Sequence, residues 1–168
     1  MSVSETQILE ERARRLALPL TAGEEKSLQV VSFSIGAEKF IIESQYVQEI
    51  NKLHDYTPVP DTPNFIVGVT NIRGTVLALV DIAKFFTMPS RGITDLTRVI
   101  VLGQQQFEFG LLAATAHDAL AIEPSDILEV PDGISASTKK YLKGVTAIAS
   151  LFLDGQLLLS DERLILDQ

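Results

Sequence analysis

The sequence predicts an all-β protein with a few short helices, built from two similar small barrels. Apolar segments are short, and turn residues separate them at close intervals. This pattern favours small antiparallel barrels over an open parallel sheet. Four landmarks also recur in the same order further along the chain: Phe33–Phe40 as Ile100–Phe107, Val59–Asp61 as Val130–Asp132, Phe65–Ile72 as Tyr141–Ile148, and Leu77–Asp81 as Leu157–Asp161. The ordered recurrence indicates two related subdomains with insertions at loops.

The stretch Pro58–Asp81 is the most informative part of the sequence. Its three prolines fix their own φ angles and disfavour helix in the residue before each of them. The apolar run that follows is interrupted at Arg73-Gly74, where glycine accepts the positive φ of a tight turn. We therefore predict a largely buried β-hairpin with Arg73 as the charge at its turn.

The rest of the first half reads as strands joined by short turns. Strands are predicted at 30–35, 40–42 and 47–53, with one helical turn within 43–48. Residues 82–86 fit either a short helix or an exit segment. Residues 1–20 are predicted to form an amphipathic helix, followed by a polar linker at 21–26. One face of this helix carries the apolar residues Leu9, Ala13, Leu16, Ala17 and Leu20.

The second half repeats the strand pattern. Strands are predicted at 99–102 and 107–114, and one helical turn at 139–142. Residues 125–130 fit either a short helix or a strand. A last hairpin is predicted from strands 145–153 and 156–159, because Asp154-Gly155 between them is a common hairpin turn.

Composition excludes several classes of function. The chain has 168 residues, a net charge of −8, no cysteine and two histidines. The negative charge argues against a nucleic-acid partner, and the absence of cysteine excludes disulfides and thiol chemistry. No phosphate loop, nucleophile elbow or calcium loop is present. We expect no catalytic residues, no metal and no cofactor, and a cytoplasmic protein without a membrane span or signal peptide.

Several motifs carry a family resemblance. They are Val47–Ile50, Pro63–Ile82 with Gly68-Val69-Thr70-Asn71-Ile72-Arg73-Gly74 at its centre, Phe109–Leu112 and Tyr141–Gly144. Together they resemble the signature of CheW-type chemotaxis coupling proteins. The resemblance implies two five-stranded, SH3-like barrel subdomains on a shared apolar core. It divides the chain into an N-terminal helix and linker at 1–26 and a CheW-like domain of two intertwined barrels at 27–168.

The resemblance also implies function and site. Such proteins are non-enzymatic adaptors that couple the cytoplasmic tip of a chemoreceptor to the regulatory domain of a CheA-type histidine kinase. The implied receptor groove consists of Val47, Glu49, Ile50, Gly68, Arg73 and Gly110. Glu49 is expected to orient the guanidinium of Arg73 as a structural ion pair, because a carboxylate can meet that rigid fork with two hydrogen bonds. The kinase-binding residues are not identified by the sequence.

The second half departs from the family pattern, which keeps alternatives open. Ala114 stands where the family commonly has an acidic residue, and Asn71 and Arg73 become Ala147 and Ala149 in the second repeat. A protein that binds only kinase or only receptor, as a competitor or in another motility system, is therefore a second hypothesis. A third is a ligand-binding or enzymatic barrel, which would need a deep pocket containing His54 or His117.

Overall fold

The computed structural model describes residues 27–90, 92–104 and 107–164. The helix predicted over 1–20 lies outside these residues. The described part is mostly β, which confirms the predicted fold class. Its strands are β1 (Leu28–Ile35), β2 (Glu38–Glu43), β3 (Val47–Lys52), β4 (Ile66–Ile72), β5 (Thr75–Val80), β6 (Arg98–Gln104), β7 (Phe107–Ala113), β8 (Thr115–Ile122), β9 (Ile127–Leu128), β10 (Leu142–Thr146) and β11 (Leu151–Leu153). Its helices are α1 (Ile82–Phe85), α2 (Ala136–Lys139) and α3 (Gly155–Leu159), with 3-10 turns at Ser44–Tyr46, Pro124–Asp126 and Glu162–Leu164. None of these described helices is long and apolar enough to cross a membrane.

Two sheets share one strand order. The first sheet runs β8-β1-β2-β11-β10-β9, and the second runs β3-β6-β7-β5-β4. Each contains two antiparallel hairpins joined by a parallel pair, β2 with β11 or β7 with β5. The second sheet completes the match through Thr57, which bridges Val69 where β9 pairs with β10 in the first. Because β1 and β2 pair with late strands and β6 and β7 with early ones, the two halves of the chain exchange strands.

The sheets are rolled rather than closed. Among the described residues, no ladder of hydrogen bonds joins the two edge strands of either sheet. The first sheet has six strands instead of the five that the resemblance implied, because the two-residue β9 extends it.

The shared apolar core lies between the two sheets. Phe33 and Phe40 of the first sheet stack with ring centroids 5.4 Å apart, and Phe40 also stacks on Phe86 at 6.4 Å. A smaller apolar cluster fills the opposite face of each sheet. In the first sheet this cluster consists of Val30, Ile41 and Phe152. The strands are therefore buried on both faces at their centres, which explains their nearly continuous apolar runs.

The last hairpin differs from the prediction. It is formed by β10 and β11, and Ala149 at its turn has a φ of 64°. Asp154 does not form a turn with Gly155: its side chain accepts a hydrogen bond from the backbone N–H of Leu157, 3.1 Å away, and begins helix α3. An Asp-Gly pair serves equally as a hairpin turn and as a helix N-cap followed by a small residue, so the pair alone does not distinguish them.

This correction also changes one landmark of the repeat. Asp81 begins helix α1 after β5 by accepting hydrogen bonds from the backbone of Ala83 and Lys84. Its structural counterpart is therefore Asp154, which begins α3 after β11, and the predicted match of Asp81 with Asp161 is wrong.

A network of polar contacts holds the end of the described chain against the core. The guanidinium of Arg163 lies 4.6 Å from the ring centroid of Phe85 and donates to the hydroxyl of Tyr141 at 2.6 Å. It also donates to Asp161 at 3.0 Å, and the Tyr141 hydroxyl donates to the same carboxylate. Burial by itself would raise the pKa of Asp161, but the hydrogen bonds from Arg163 and Tyr141 outweigh it and hold this pKa below its ordinary value.

Asp161→Asn is expected to remove a part of the stability that depends on pH. A carboxyl whose pKa is lowered by folding stabilises the protein above its unfolded pKa of about 3.9, and this contribution disappears as the pH falls through the folded value. At pH 7 the variant should lose on the order of 1–3 kcal/mol of unfolding free energy, the range for hydrogen bonds to charged groups. Urea denaturation should show that the difference in unfolding free energy between the natural protein and D161N is smaller at pH 3 than at pH 7. The control Asp132→Asn, at an exposed loop position, should change the unfolding free energy little at either pH. A loss in D161N that is larger at pH 3 than at pH 7 would contradict the lowered pKa of Asp161.

Candidate functional site

The structure brings Glu49 and Arg73 together from opposite edges of the second sheet. Glu49 lies on β3 and Arg73 at the turn after β4, the two edge strands of that sheet. Nevertheless the Nε of Arg73 is 3.3 Å from Oε1 of Glu49. Strands at opposite edges can make such a contact only when the sheet is rolled, so the ion pair spans the mouth of a barrel-like sheet.

The turn presents Arg73 in an uncommon backbone conformation. Arg73 has a φ of 52° and Gly74 a φ of 84°, the two positive angles of a tight hairpin turn. The side chain of Asn71 accepts a hydrogen bond from the backbone N–H of Gly74 at 2.9 Å, which fixes the turn. A left-handed arginine costs roughly 1–2 kcal/mol relative to ordinary backbone.

Exposure differs sharply between the two partners. The Arg73 side chain is 79% exposed, whereas that of Glu49 is 24% exposed. Oε1 of Glu49 also accepts a hydrogen bond from the side-chain amide of Asn51 at 2.6 Å. Glu49 is therefore the fixed member and Arg73 the displayed one. The ion-pair contact runs through Nε of Arg73, rather than through the two parallel hydrogen bonds that were expected.

The pair stands at the rim of an open cleft of about 420 Å³. Leu53, Ile72 and Val99 give it an apolar floor, which continues into the apolar cluster of the second sheet. Charged and polar side chains surround that floor. The lining residues that the sequence interpretation did not include are Asn51, Lys52, Leu53, His54, Asp55, Thr70, Asn71, Ile72 and Val99. Apart from Val99, which lies on β6 opposite Asn51, their common signal is position, since they flank Glu49 on β3 and Arg73 on the hairpin.

Val47 and Ile50 do not line this cleft. Ile50 pairs with Ile100 and Val47 with Leu102, and both side chains pack against the core between the sheets. Glu49 pairs with Val101, on the opposite face. A bulge at Gln48 separates Val47 from the face of Glu49, which strict strand alternation would have had them share. The apolar part of the candidate site is the cleft floor instead.

Gly68 and Gly110 are buried packing positions in the same sheet. A Cβ on Gly68 would lie 2.4 Å from the carbonyl oxygen of Thr57. A Cβ on Gly110 would lie 2.6 Å from Cγ1 of Val99 and 3.2 Å from Leu79. The absence of a Cβ at Gly68 thus allows the segment that carries Thr57 to pack against β4. At Gly110 it leaves space for the side chains of Val99 and Leu79. Neither displays a group to a partner.

The enzymatic alternative gains no support from this geometry. His54 lines this cleft and His117 lines a separate cleft of the first sheet; both residues are exposed, and both clefts are open rather than deep. Within the residues that the structure covers, no group of three histidines or carboxylates could hold a metal ion. The arrangement is suited to recognition: a displayed cation, a fixed carboxylate and an apolar floor.

Comparisons with known proteins show the family of this chain. Residues 29–163 match the family model of the CheW-like domain. The chain is 30% identical over 148 residues to the chemotaxis protein CheW of Klebsiella aerogenes, covering 86% of this chain and 89% of the relative. It is 29% identical to that of Bacillus subtilis, covering 71% and 76%. Protein FrzA of Myxococcus xanthus is 33% identical over 68% of this chain and 72% of its own.

A solved structure has the same fold. The scaffolding protein TtCheW from Thermoanaerobacter tengcongensis superposes with a TM-score of 0.71 at 23% identity, covering 84% of this chain and 99% of that protein.

Proposed function

Since this chain belongs to the CheW-like family and is an adaptor of chemotaxis signalling, we propose that it joins the cytoplasmic tip of a chemoreceptor to the regulatory domain of a CheA-type histidine kinase. It does so by binding alone, without catalysis or a cofactor. The proposed place of action is the cytoplasm, at membrane-associated receptor arrays. The receptor site is the cleft between Glu49 and Arg73.

The observation that carries this proposal is the displayed arginine over an apolar floor. A receptor tip made of helices would place an apolar stripe on Leu53, Ile72 and Val99. Arg73 would then meet an acidic side chain at the edge of that stripe, because most of its guanidinium faces solvent. Glu49 holds the guanidinium in place before binding, so less conformational freedom is lost when the partner docks.

The two proposed partners can be tested separately. Purified full-length protein is offered to an immobilised receptor tip and, in a second experiment, to an immobilised kinase regulatory domain. We expect capture by both. Arg73→Glu should weaken receptor capture roughly tenfold to a hundredfold, or about 1.4–3 kcal/mol, since the reversed charge would repel the acidic side chain that Arg73 is proposed to meet. Kinase capture should be unchanged.

A matched control reverses an exposed cation elsewhere. Lys139→Glu, on helix α2, should leave receptor capture unchanged. If R73E and K139E weaken receptor capture equally, the effect reflects overall charge and the cleft is not the receptor site.

One observation favours the second candidate function, a protein with a single partner. In the first sheet, Ala149 takes the place that Arg73 has in the second, with a similar positive φ. A charged side chain at this hairpin turn is therefore present in the second sheet and not in the first. Capture by the kinase domain alone, or by the receptor tip alone, would support this candidate over the bridge.

A further inference from the structure

The first sheet contains a second cleft at the position that corresponds to the first. It opens between β8 and the turn of the β10–β11 hairpin, as the candidate receptor cleft opens between β3 and the β4–β5 turn. Its volume is about 480 Å³. Ser32 and Ser34 line it, where the second sheet has Val99 and Val101 at the corresponding places on β6. These smaller side chains leave unfilled the space that the valines occupy.

The second cleft exposes apolar side chains beside serine and threonine side chains. Leu120 and Ile148 reach it with 41% and 74% of their surface exposed, and Ile41 and Ile122 lie deeper. Lys39 and Asp126 are the charged residues among its lining, and the imidazole of His117 also lines it. Exposed apolar side chains gathered at a concave site mark a surface that something covers, because each costs free energy in water.

The chain itself enters beside this cleft. Leu28, the first residue of β1, pairs with Ile122, which lines the cleft. The Ser27 hydroxyl donates to Oε1 of Glu123, 3.5 Å away, at the same end. Twenty-six residues precede Ser27 in the sequence. Ser27, to which this segment is joined, therefore lies next to the cleft.

The sequence of that segment fits the cleft in length and in character. The polar linker 21–26 can span at most about 20 Å, and the cleft follows β8, which is about 26 Å long. A helix before the linker can therefore be placed over most of the cleft. Its predicted apolar face, which includes Leu9 and Leu16, is uncharged and would meet Leu120 and Ile148.

We propose that residues 1–26 occupy the cleft of the first sheet within the same molecule, through the apolar face of their predicted helix. The segment covers Ile148 and Leu120, and any partner that uses this cleft competes with the chain's own N terminus. This inference is independent of the receptor site, because it concerns the other sheet.

Crosslinking tests the proposal directly, since the natural chain has no cysteine. Full-length protein with Leu16→Cys and Ile148→Cys is treated with a short bismaleimide. The control pair combines Leu16→Cys with Leu96→Cys, a leucine outside the cleft whose 71% exposure matches the 74% of Ile148. We expect the first pair to crosslink within one molecule, several-fold faster than the control and at a rate independent of protein concentration.

A tryptophan probe gives a second measurement, because the chain contains no tryptophan. The emission of Ile148→Trp should shift to the red and become more easily quenched when Leu9→Glu and Leu16→Glu are added. Leu96→Trp should not respond to the same changes. Equal crosslinking of both cysteine pairs, crosslinks only between two molecules, or emission of the I148W variant that ignores the L9E/L16E change would each overturn the proposal.

Discussion

Replacing Phe40 by alanine is expected to lower the free energy of unfolding by about 3–5 kcal/mol, the range for a buried phenylalanine. Phe40 is fully buried and stacks on both Phe33 and Phe86. Phe33 belongs to the first sheet, whereas Phe86 follows the helix that leaves the second, so the ring joins the two halves of the core. Alanine would leave a cavity that the surrounding strands cannot close.

Chemical denaturation of Phe40→Ala against the wild type measures this effect. Phe107→Ala is the matched control, because it makes the same substitution at a half-buried ring at the start of β7. Its cost should be clearly smaller. Small domains have only about 5–15 kcal/mol of stability in total, so the expected Phe40 loss is a large fraction of it. Equal losses in the two variants would contradict a single core shared by both sheets.

Gly68→Ala is expected to destabilise the fold by about 1–3 kcal/mol or more, as overpacking of a rigid site does. The added Cβ would lie 2.4 Å from the carbonyl oxygen of Thr57 and 2.9 Å from its carbonyl carbon. Both are backbone atoms, held by the bridge between Thr57 and Val69. The segment carrying Thr57 must then move away from β4, which also disturbs Asp55, two residues earlier, in the lining of the candidate cleft.

Gly103→Ala separates this clash from a general effect of alanine in a strand. Gly103 is also buried, but a Cβ there would meet the side-chain carbons of Glu108 and Gln48, at 2.7 and 3.1 Å. Flexible side chains can swing aside, so we expect a loss below about 1 kcal/mol. Denaturation midpoints of the two variants test the difference, and a Gly103 variant as unstable as the Gly68 variant would contradict the backbone clash.

The sequence was sufficient to predict the strands that have the clearest residue patterns. The β4–β5 hairpin and its turn were predicted because Arg73-Gly74 interrupts an apolar run, and the structure has positive φ angles at both residues. The repeat was recognisable from landmarks in the same order, and one of them has a structural reason: Gly68 and Gly144 each lie beside a bulge where another backbone segment packs close by. Such backbone requirements restrict residue choice and are visible in one sequence.

Other features depend on pairings that a single sequence does not reveal. The bulge at Gln48 places Val47 on the core side of β3, although alternation predicts that it shares a face with Glu49. Strand β8 was not predicted, because Thr115–Ile122 lacks a regular alternation of apolar and polar residues at the edge of the sheet. The second cleft was missed for the same reason, since β8 forms one of its walls.

A double-mutant cycle of receptor-tip affinity tests whether Glu49 acts through Arg73. Arg73→Ala should weaken binding about tenfold or more, in the range of interface arginines. The unfolding free energy should change by less than about 1 kcal/mol, because Arg73 is largely exposed. Glu49→Ala should weaken binding in the natural background.

In the Arg73→Ala background, Glu49→Ala should have almost no further effect, because the carboxylate then has no guanidinium to orient. Titration of the receptor tip with the natural protein, both single variants and the double variant gives the coupling free energy. We expect the double variant to bind as well as Arg73→Ala alone. Losses that simply add, or natural affinity in all variants, would contradict the action of Glu49 through Arg73.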